Sequence, residues 1–411
     1  MGSNLATPGA MVRDLTESRG VREALQWFTR EKQWINEMHL QLCRIPSPTF
    51  LEGERALWVA SQFRSFGCDA QIDRAGNVTA APQSRPELDC VIVTAHLDTV
   101  LAPRSKDDIF LDREGKFRGP GVADNGAGLA ALLALAAAFK SISPFGDQSR
   151  DLVFAANVGE EGEGNLSGMR HLCKHSPLIR RSPSFLVLDG AGTDHITTHA
   201  LGSRRFEISF HGPGGHSWSD FGTGNPVHAL SRAITHFADA TAPLLRMNGP
   251  RSTAIVSTVE GGTSINAIAT SAKAKVDIRS EENSRIEEAV QLLYAAVERA
   301  QEVENQRATG AKITARIKEL GSRPAARLPE NSSILNYLRA VDAHLGIRSR
   351  IECSSTDANI PLSMGMPALS IGAGGQGGGA HTPDEWFNPD GRDLGLKRVF
   401  LTLALLLRSD N

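Results

Sequence analysis

Several apolar runs in this 411-residue chain end in side chains that bind cations or move protons. Residues 89–95 (DCVIVTA) are followed by His96, Leu97 and Asp98. Residues 151–157 (DLVFAAN) lead into Val158, Gly159, Glu160, Glu161 and Gly162. The run SFLVL ends in Asp189 and Gly190, and ALSI opens onto a glycine-rich loop that reaches His381. Between the first two runs, GPGVADNGAG places Asp124 just ahead of an apolar helical stretch.

The spacings have chemical uses. In extended chain, residues i and i+2 project to one side. Asp98 can therefore accept a hydrogen bond from the His96 ring and leave the other ring nitrogen for a metal. Glu160 and Glu161 are neighbours and face opposite ways, so one can coordinate while the other handles protons. Gathered carboxylates repel and raise each other's pKa. Divalent cations remove that conflict, and mixed nitrogen and oxygen donors suit zinc, with cobalt or manganese as alternatives. The charges fit two ions. Asp124, Asp189, Glu161 and a bridging hydroxide supply four negative charges, and His96 and His381 give each ion one neutral ligand if Asp124 bridges. Such a pair acidifies the bridging water and clamps a carbonyl oxygen, and Glu160 is the candidate general base for amide hydrolysis.

Positioning these groups requires a particular scaffold. Buried-strand runs alternate with helical stretches such as residues 128–142, which implies an α/β architecture with a mostly parallel sheet flanked by helices. Ligands then sit beyond the carboxyl ends of the strands. The pattern changes near Ser203. RRFEISFHG alternates, NPVHALSRAITHFADAT reads as a helix capped by Asn225 with Pro226 at its first position, and two strands, a long helix from Glu281 and a last strand follow. That order, β-α-β-β-α-β, is a ferredoxin-like α+β plan. The expected organisation is a catalytic domain in two parts, 1–202 and 324–411, interrupted by an inserted domain at 203–323. Residues 21–45 read as one helix, and the first 20 or so residues as a flexible lead.

AHLDTV, GPGVADNGAG, NVGEEGEG, VLDGAG and AHTPDEW, in this order, resemble the dinuclear zinc exopeptidases, the family of peptidase T, carboxypeptidase G, carnosinase, the aminoacylases and acetylornithine deacetylase. The resemblance spans about Arg44 to Phe387. It implies His96, Asp124 and Asp189 on one metal, and Asp124, Glu161 and His381 on the other. It implies that Asp98 orients His96, that Glu160 is the base, and that the Asp124–Asn125 bond is cis. The inserted unit resembles the family's lid or dimerisation domain. There His216, in HGPGGHSW, matches the position that stabilises the tetrahedral oxyanion, reaching across from a partner subunit. Asn266, in GGTSINAIA, and Arg279, in VDIRS, match substrate-holding positions, Arg279 through the substrate carboxylate. Asp189 in place of Glu resembles the peptidase T and carnosinase-like branches. That favours a di- or tripeptide aminopeptidase over an N-acyl amino acid deacylase or a carboxypeptidase.

A rival from another class is a nicotinamide-dependent oxidoreductase, because residues 372–377 (GAGGQG) match G-x-G-x-x-G after a strand. That fingerprint needs a helix starting within the motif, and Gly378, Gly379, Ala380, His381, Thr382 and Pro383 do not start one. With 44 Lys and Arg against 46 Asp and Glu, the chain has no basic excess for nucleic acid. Its apolar runs are too short for a membrane span. No signal peptide is evident, and five scattered cysteines without a C-x-x-C pair suit reduced thiols in the cytoplasm. The expected partners are a short peptide or N-acyl amino acid as substrate and a second copy of the chain, joined through the lid.

Overall fold

The computed structural model describes residues 7–141 and 148–408. Its contacts divide the chain into two compact units, Met1–His199 with Arg327–Asn411, and Ala200–Ala326. The second begins slightly before the expected 203 because its first long strand, Gly202–His211, already starts at Gly202.

The first unit is built on strands whose continuous apolar runs are covered on both faces. Arg150–Asn157, Asp89–His96, Ser184–Leu188 and Ala368–Ile371 lie side by side in that order and run parallel. Antiparallel strands flank this core, Val78–Ala81 and then Asp69–Ile72 on one side and His195–Ala200 on the other. The sheet is thus mixed around a parallel centre, and the four parallel strands release their carboxyl ends at one edge. The helix Gly126–Ser141 is apolar all round, and Leu129, Leu132, Leu133 and Leu135 are fully buried. The expected last residue of that helix, Ile142, lies outside the described residues. Its first turn tolerates no side chain at Gly128, where a Cβ would fall 2.2 Å from Asn125 Oδ1.

Two expectations for the amino-terminal part need correction. The flexible lead is a helix, Pro8–Glu17, capped by the Thr7 hydroxyl and anchored by buried Val12 and Leu15; residues 1–6 lie outside the described residues. Two buried positions in ten residues are too few for the period to be read in the sequence. The single helix expected over 21–45 breaks at Glu31 into Arg19–Arg30 and Lys32–Cys43. Trp27 and Trp34 pack edge to face across the break, with centroids 5.6 Å apart.

The second unit has the β-α-β-β-α-β order. Its antiparallel sheet runs Ser252–Gly261, Ser271–Ser280, Gly202–His211, Thr314–Arg323. Alternate residues of the central strands, among them Phe206, Ile208, Phe210, Val276 and Ile278, are buried with Leu230, Phe237, Val290 and Leu293 of the helices Pro226–Arg246 and Asn283–Arg307. Asn225 and Pro226 cap the first of these helices as expected. Among the described residues, no helix is long and apolar enough to cross a membrane.

Candidate metal centre

The parallel strands deliver their terminal residues to one place. His96 closes its strand, Glu160 and Glu161 follow the strand ending at Asn157, Asp189 follows the strand ending at Leu188, and Asp124 precedes the helix that begins at Gly126. His381 comes from the loop after Ala368–Ile371, with a left-handed backbone at φ 65°. A non-glycine residue held there is uncommon and points to local constraint. The Asp124–Asn125 peptide bond is cis.

Asp124 sits between two histidines. Its Oδ1 lies 3.1 Å from His96 Nε2, and its Oδ2 lies 3.1 Å from His381 Nε2. Asp189 Oδ1 is 3.9 Å from His96 Nε2, and Glu161 Oε1 is 2.9 Å from His381 Nε2. In each of the sets His96, Asp124, Asp189 and Asp124, Glu161, His381, one donor atom per residue lies within 4.8 Å of the others. His96, Glu160 and Glu161 form a third such set. Glu160 and Glu161 are both buried.

The electrostatics test whether cations fit. Burial opposes protonation of His96, yet hydrogen bonds to Asp124 and Asp98 hold its pKa well above the imidazole range. Hydrogen bonds to Asp124 and Glu161 raise His381 to about 10. Burial and the neighbouring charge of Asp124 push Asp189 up to about 7. Burial opposes ionisation of Asp124, but His381 and His96 outweigh it and hold the carboxyl below the usual carboxylate range. The carboxylates and imidazoles of the cluster thus shift one another's pKa values strongly, as close-set ionisable groups do. Two nitrogen donors and three carboxylates converging in this way are a donor set for divalent ions of the zinc, cobalt or manganese type.

Asp98 lies against the His96 ring with both its carbonyl and its carboxylate. His96 Nδ1 lies 3.0 Å from the main-chain carbonyl of Asp98 and 3.5 Å from its carboxylate. The carboxylate also accepts the main-chain amides of Glu160 and Glu161, each at 2.9 Å, and the Thr49 hydroxyl at 2.9 Å. Its pKa is lowered, because the His96 contact and these amides outweigh burial.

Further residues complete the frame. Asn125 donates to the Leu188 carbonyl at 2.8 Å and accepts from the amides of Gly128 and Gly190 at 3.0 and 3.1 Å, tying the Asp124 loop to the Asp189 loop. Glu385 accepts from the amides of Gly121, Ala123 and Asp124 at 2.7, 2.7 and 2.8 Å. The only sequence signal for either was its place inside a motif. A cavity of about 530 Å³ adjoins the cluster, lined by Asp124, Asp189, Gly192, Asp194 and Gln376 among others, with no Lys, Arg or His in its lining.

The three remaining candidates lie in the second unit. His216 and Asn266 are brought together there, since Gly215–His216 pairs with Ala267–Ile268 and Ser217 donates its amide to the Asn266 carbonyl. The His216 ring is exposed, and its Nδ1 accepts from the amides of Trp218 and Ser219 at 3.3 Å each. The Asn266 side chain accepts from the Ser264 hydroxyl at 2.6 Å. Arg279 is on the strand Ser271–Ser280 and donates to Asp277 at 2.7 Å. The G-x-G-x-x-G stretch meets no helix. Gln376–Gly378 is a strand paired with Trp386–Asn388, so the helix N-terminus that a dinucleotide pyrophosphate needs is missing there.

Comparison with known proteins extends these observations. A model of the family described as Peptidase family M20/M25/M40 matches residues 92–404. The uncharacterized protein YqjE of Bacillus subtilis is 24% identical over 360 residues, covering 84% of this chain and 91% of that protein. Among solved structures, aminopeptidase PepT from Bacillus cereus superposes with a TM-score of 0.70 at 19% identity, covering 91% of this chain and 98% of that one. A tripeptidase from Staphylococcus aureus gives 0.69 at 20% identity, covering 92% and 99%.

Proposed function

Because the chain belongs to Peptidase family M20/M25/M40 and is a hydrolytic enzyme, we propose that it cleaves the amide bond of short peptides as a di- or tripeptide aminopeptidase. The observation that carries this reading is the Asp124 carboxylate, one oxygen directed at His96 and the other at His381. That arrangement suits one ion held by His96, Asp124 and Asp189 and a second held by Asp124, Glu161 and His381, zinc being the first choice. Divalent ions in these places supply an acidified water and a positive charge for the carbonyl oxygen.

The chain's own residues do the rest. The Glu160 carboxylate takes the proton of the attacking water and returns it to the departing amine. Asp98 holds the Glu160 amide, which fixes where that carboxylate starts. The adjoining cavity has no basic side chain in its lining, and Asp194 is the carboxylate there that the ions do not use. This favours a substrate whose amino end lies beside the cluster over one whose carboxylate does.

The lid residues enter in the same reading. His216, Asn266 and Arg279 contact the substrate's carbonyl oxygen and far end, with His216 supplied by a second copy of the chain. The strand Ser252–Gly261 is an edge of its sheet and exposes Ile255 and Val259. An open apolar edge of this kind pairs readily with another chain.

A panel of tripeptides, dipeptides and N-acetyl amino acids, run with the parent chain and Glu160→Gln, tests the reading. The parent is expected to prefer peptides with a free amine. Glu160→Gln is expected to keep its metal and lose hydrolysis by about 10²- to 10⁴-fold. Preference for N-acetyl amino acids would move the assignment to a deacylase, and full activity of Glu160→Gln would remove Glu160 as the base.

A further inference from the structure

The loop 119–125, which carries Asp124, makes few backbone bonds of its own, Val122 to the Gly119 carbonyl at 3.4 Å and Gly126 to the Gly121 carbonyl at 2.9 Å, so its shape depends also on what grips its other peptide groups. Its amides are taken by Glu385, only 2% exposed, whose carboxylate accepts three of them while its main-chain carbonyl accepts a fourth, from Gly119, at 3.0 Å. The loop's Val122 carbonyl is held separately by fully buried His39, whose Nε2 lies 2.8 Å away. The His39 Nδ1 lies 2.7 Å from Nη2 of Arg392. A guanidinium only donates, so Nδ1 is the acceptor and Nε2 carries the hydrogen given to Val122. Arg392 is itself buried, donates to Asn36 Oδ1 at 3.0 Å, and lies 5.5 and 4.5 Å from the ring centroids of Phe117 and Phe387.

Neither buried charge is in an ion pair among the described residues. Arg392 has rings and an imidazole where a carboxylate would be usual, and Glu385 has only peptide amides. Burying a charge in this way is costly and is retained where it fixes something. What both fix is the same loop, Glu385 through its amides and Arg392 through His39 and a carbonyl. Glu385 also stands four residues after His381 and closes the turn that follows it, its amide donating to the Thr382 carbonyl at 3.3 Å. Moving it would therefore disturb Asp124 and His381 together, the two residues that connect the donor sets.

We propose that Glu385 is a positioning residue that sets the Asp124 loop and the His381 turn for two-metal binding, with Arg392 bracing the same loop through His39 and the Val122 carbonyl. This rests on the two-metal reading given above. The Glu385 carboxylate offers acceptor sites to all three amides. A glutamine keeps the shape but turns an NH2 group toward at least one of them. An aspartate keeps the charge but falls a methylene short.

The test uses the full chain and Co2+ as probe. Binding is measured by competition with a chelator, together with the visible absorption of the bound ion and the melting temperature of metal-free protein. Glu385→Gln is expected to bind Co2+ about 10- to 100-fold more weakly, to change the visible band, and to melt close to the parent when metal-free. Glu385→Asp is expected to fall between the two, and it carries the test if the glutamine variant does not fold. Parental Co2+ affinity and spectrum in the variants, with a lowered melting temperature, would reduce Glu385 to packing and overturn the inference. A parent chain that binds no Co2+ would instead overturn the two-metal reading itself.

Discussion

The Asp98 carboxylate grips the peptide N–H of Glu160 at 2.9 Å from 62 residues away in the chain. Its other oxygen grips the N–H of Glu161 at the same distance. One side chain thus sets the turn that presents both glutamates, while its main-chain carbonyl takes the Nδ1 side of His96. Asp98→Asn keeps the volume but replaces one acceptor by a donor facing an amide. The expected result is a loss of about 10- to 100-fold in kcat/KM, the usual scale for a residue that orients ligands, with weaker metal retention. Steady-state kinetics together with metal analysis checks this. Unchanged values would mean that the turn keeps its shape without the Asp98 carboxylate.

Metal removal should be reversible and specific. Chelation is expected to abolish peptide hydrolysis, and zinc, cobalt or manganese to restore it. Ions that bind only the folded chain also stabilise it, by about 2.7 kcal/mol at a hundredfold excess over Kd. Adding Zn2+ to the chelated protein should therefore raise the melting temperature in step with activity. Full hydrolysis by a protein shown to be metal-free would remove the ions from the mechanism.

The chemistry was more legible in the sequence than its supports. His96, Asp124, Glu160, Glu161, Asp189 and His381 stand at the ends of apolar runs, and an α/β sheet gathers such ends at one edge. Asn125, Glu385, His39 and Arg392 gave no comparable signal, because their partners are peptide groups or rings on distant segments. His39 meets Val122 across 83 residues, and Glu385 meets Gly121 across 264. Main-chain donors carry no sequence code, so side chains that serve them look like ordinary polar residues. The helix Pro8–Glu17 escaped for a related reason, since only Val12 and Leu15 mark its buried side.

The buried thiols predict a pH dependence of stability. Burial pushes Cys43, Cys90 and Cys173 up to about 12 and Cys68 up to about 11. An unfolded thiol ionises near 8.5. Between about 8.5 and these values the folded chain binds more protons than the unfolded one, so stability falls as pH rises, by about 1.4 kcal/mol per pH unit for each thiol. Below that window the contribution is fully present. Urea midpoints should drop from pH 8 to pH 10.5, and Cys90→Ala should show a shallower decline. At pH 8 a thiol reagent should modify the exposed Cys353 before the four buried cysteines.

The lid residue His216 gives the sharpest test of assembly. The amides of Trp218 and Ser219 occupy its Nδ1, so Nε2 carries the hydrogen and the ring offers a donor outward from an exposed position. If that donor serves the site of a second copy, a chain lacking His216 and a chain lacking Glu160 repair one another. In a mixed dimer, the Glu160-containing site of the His216→Ala chain meets the partner's His216. The other site lacks its base. Random mixing makes half the dimers hybrid, each with one complete site, so activity should recover to about a quarter of the parental value. Mixing His216→Ala and Glu160→Ala chains after mild dissociation and assaying peptide hydrolysis measures this directly. Recovery absent from a mixture shown to contain hybrids would place His216 in the service of its own subunit or of none.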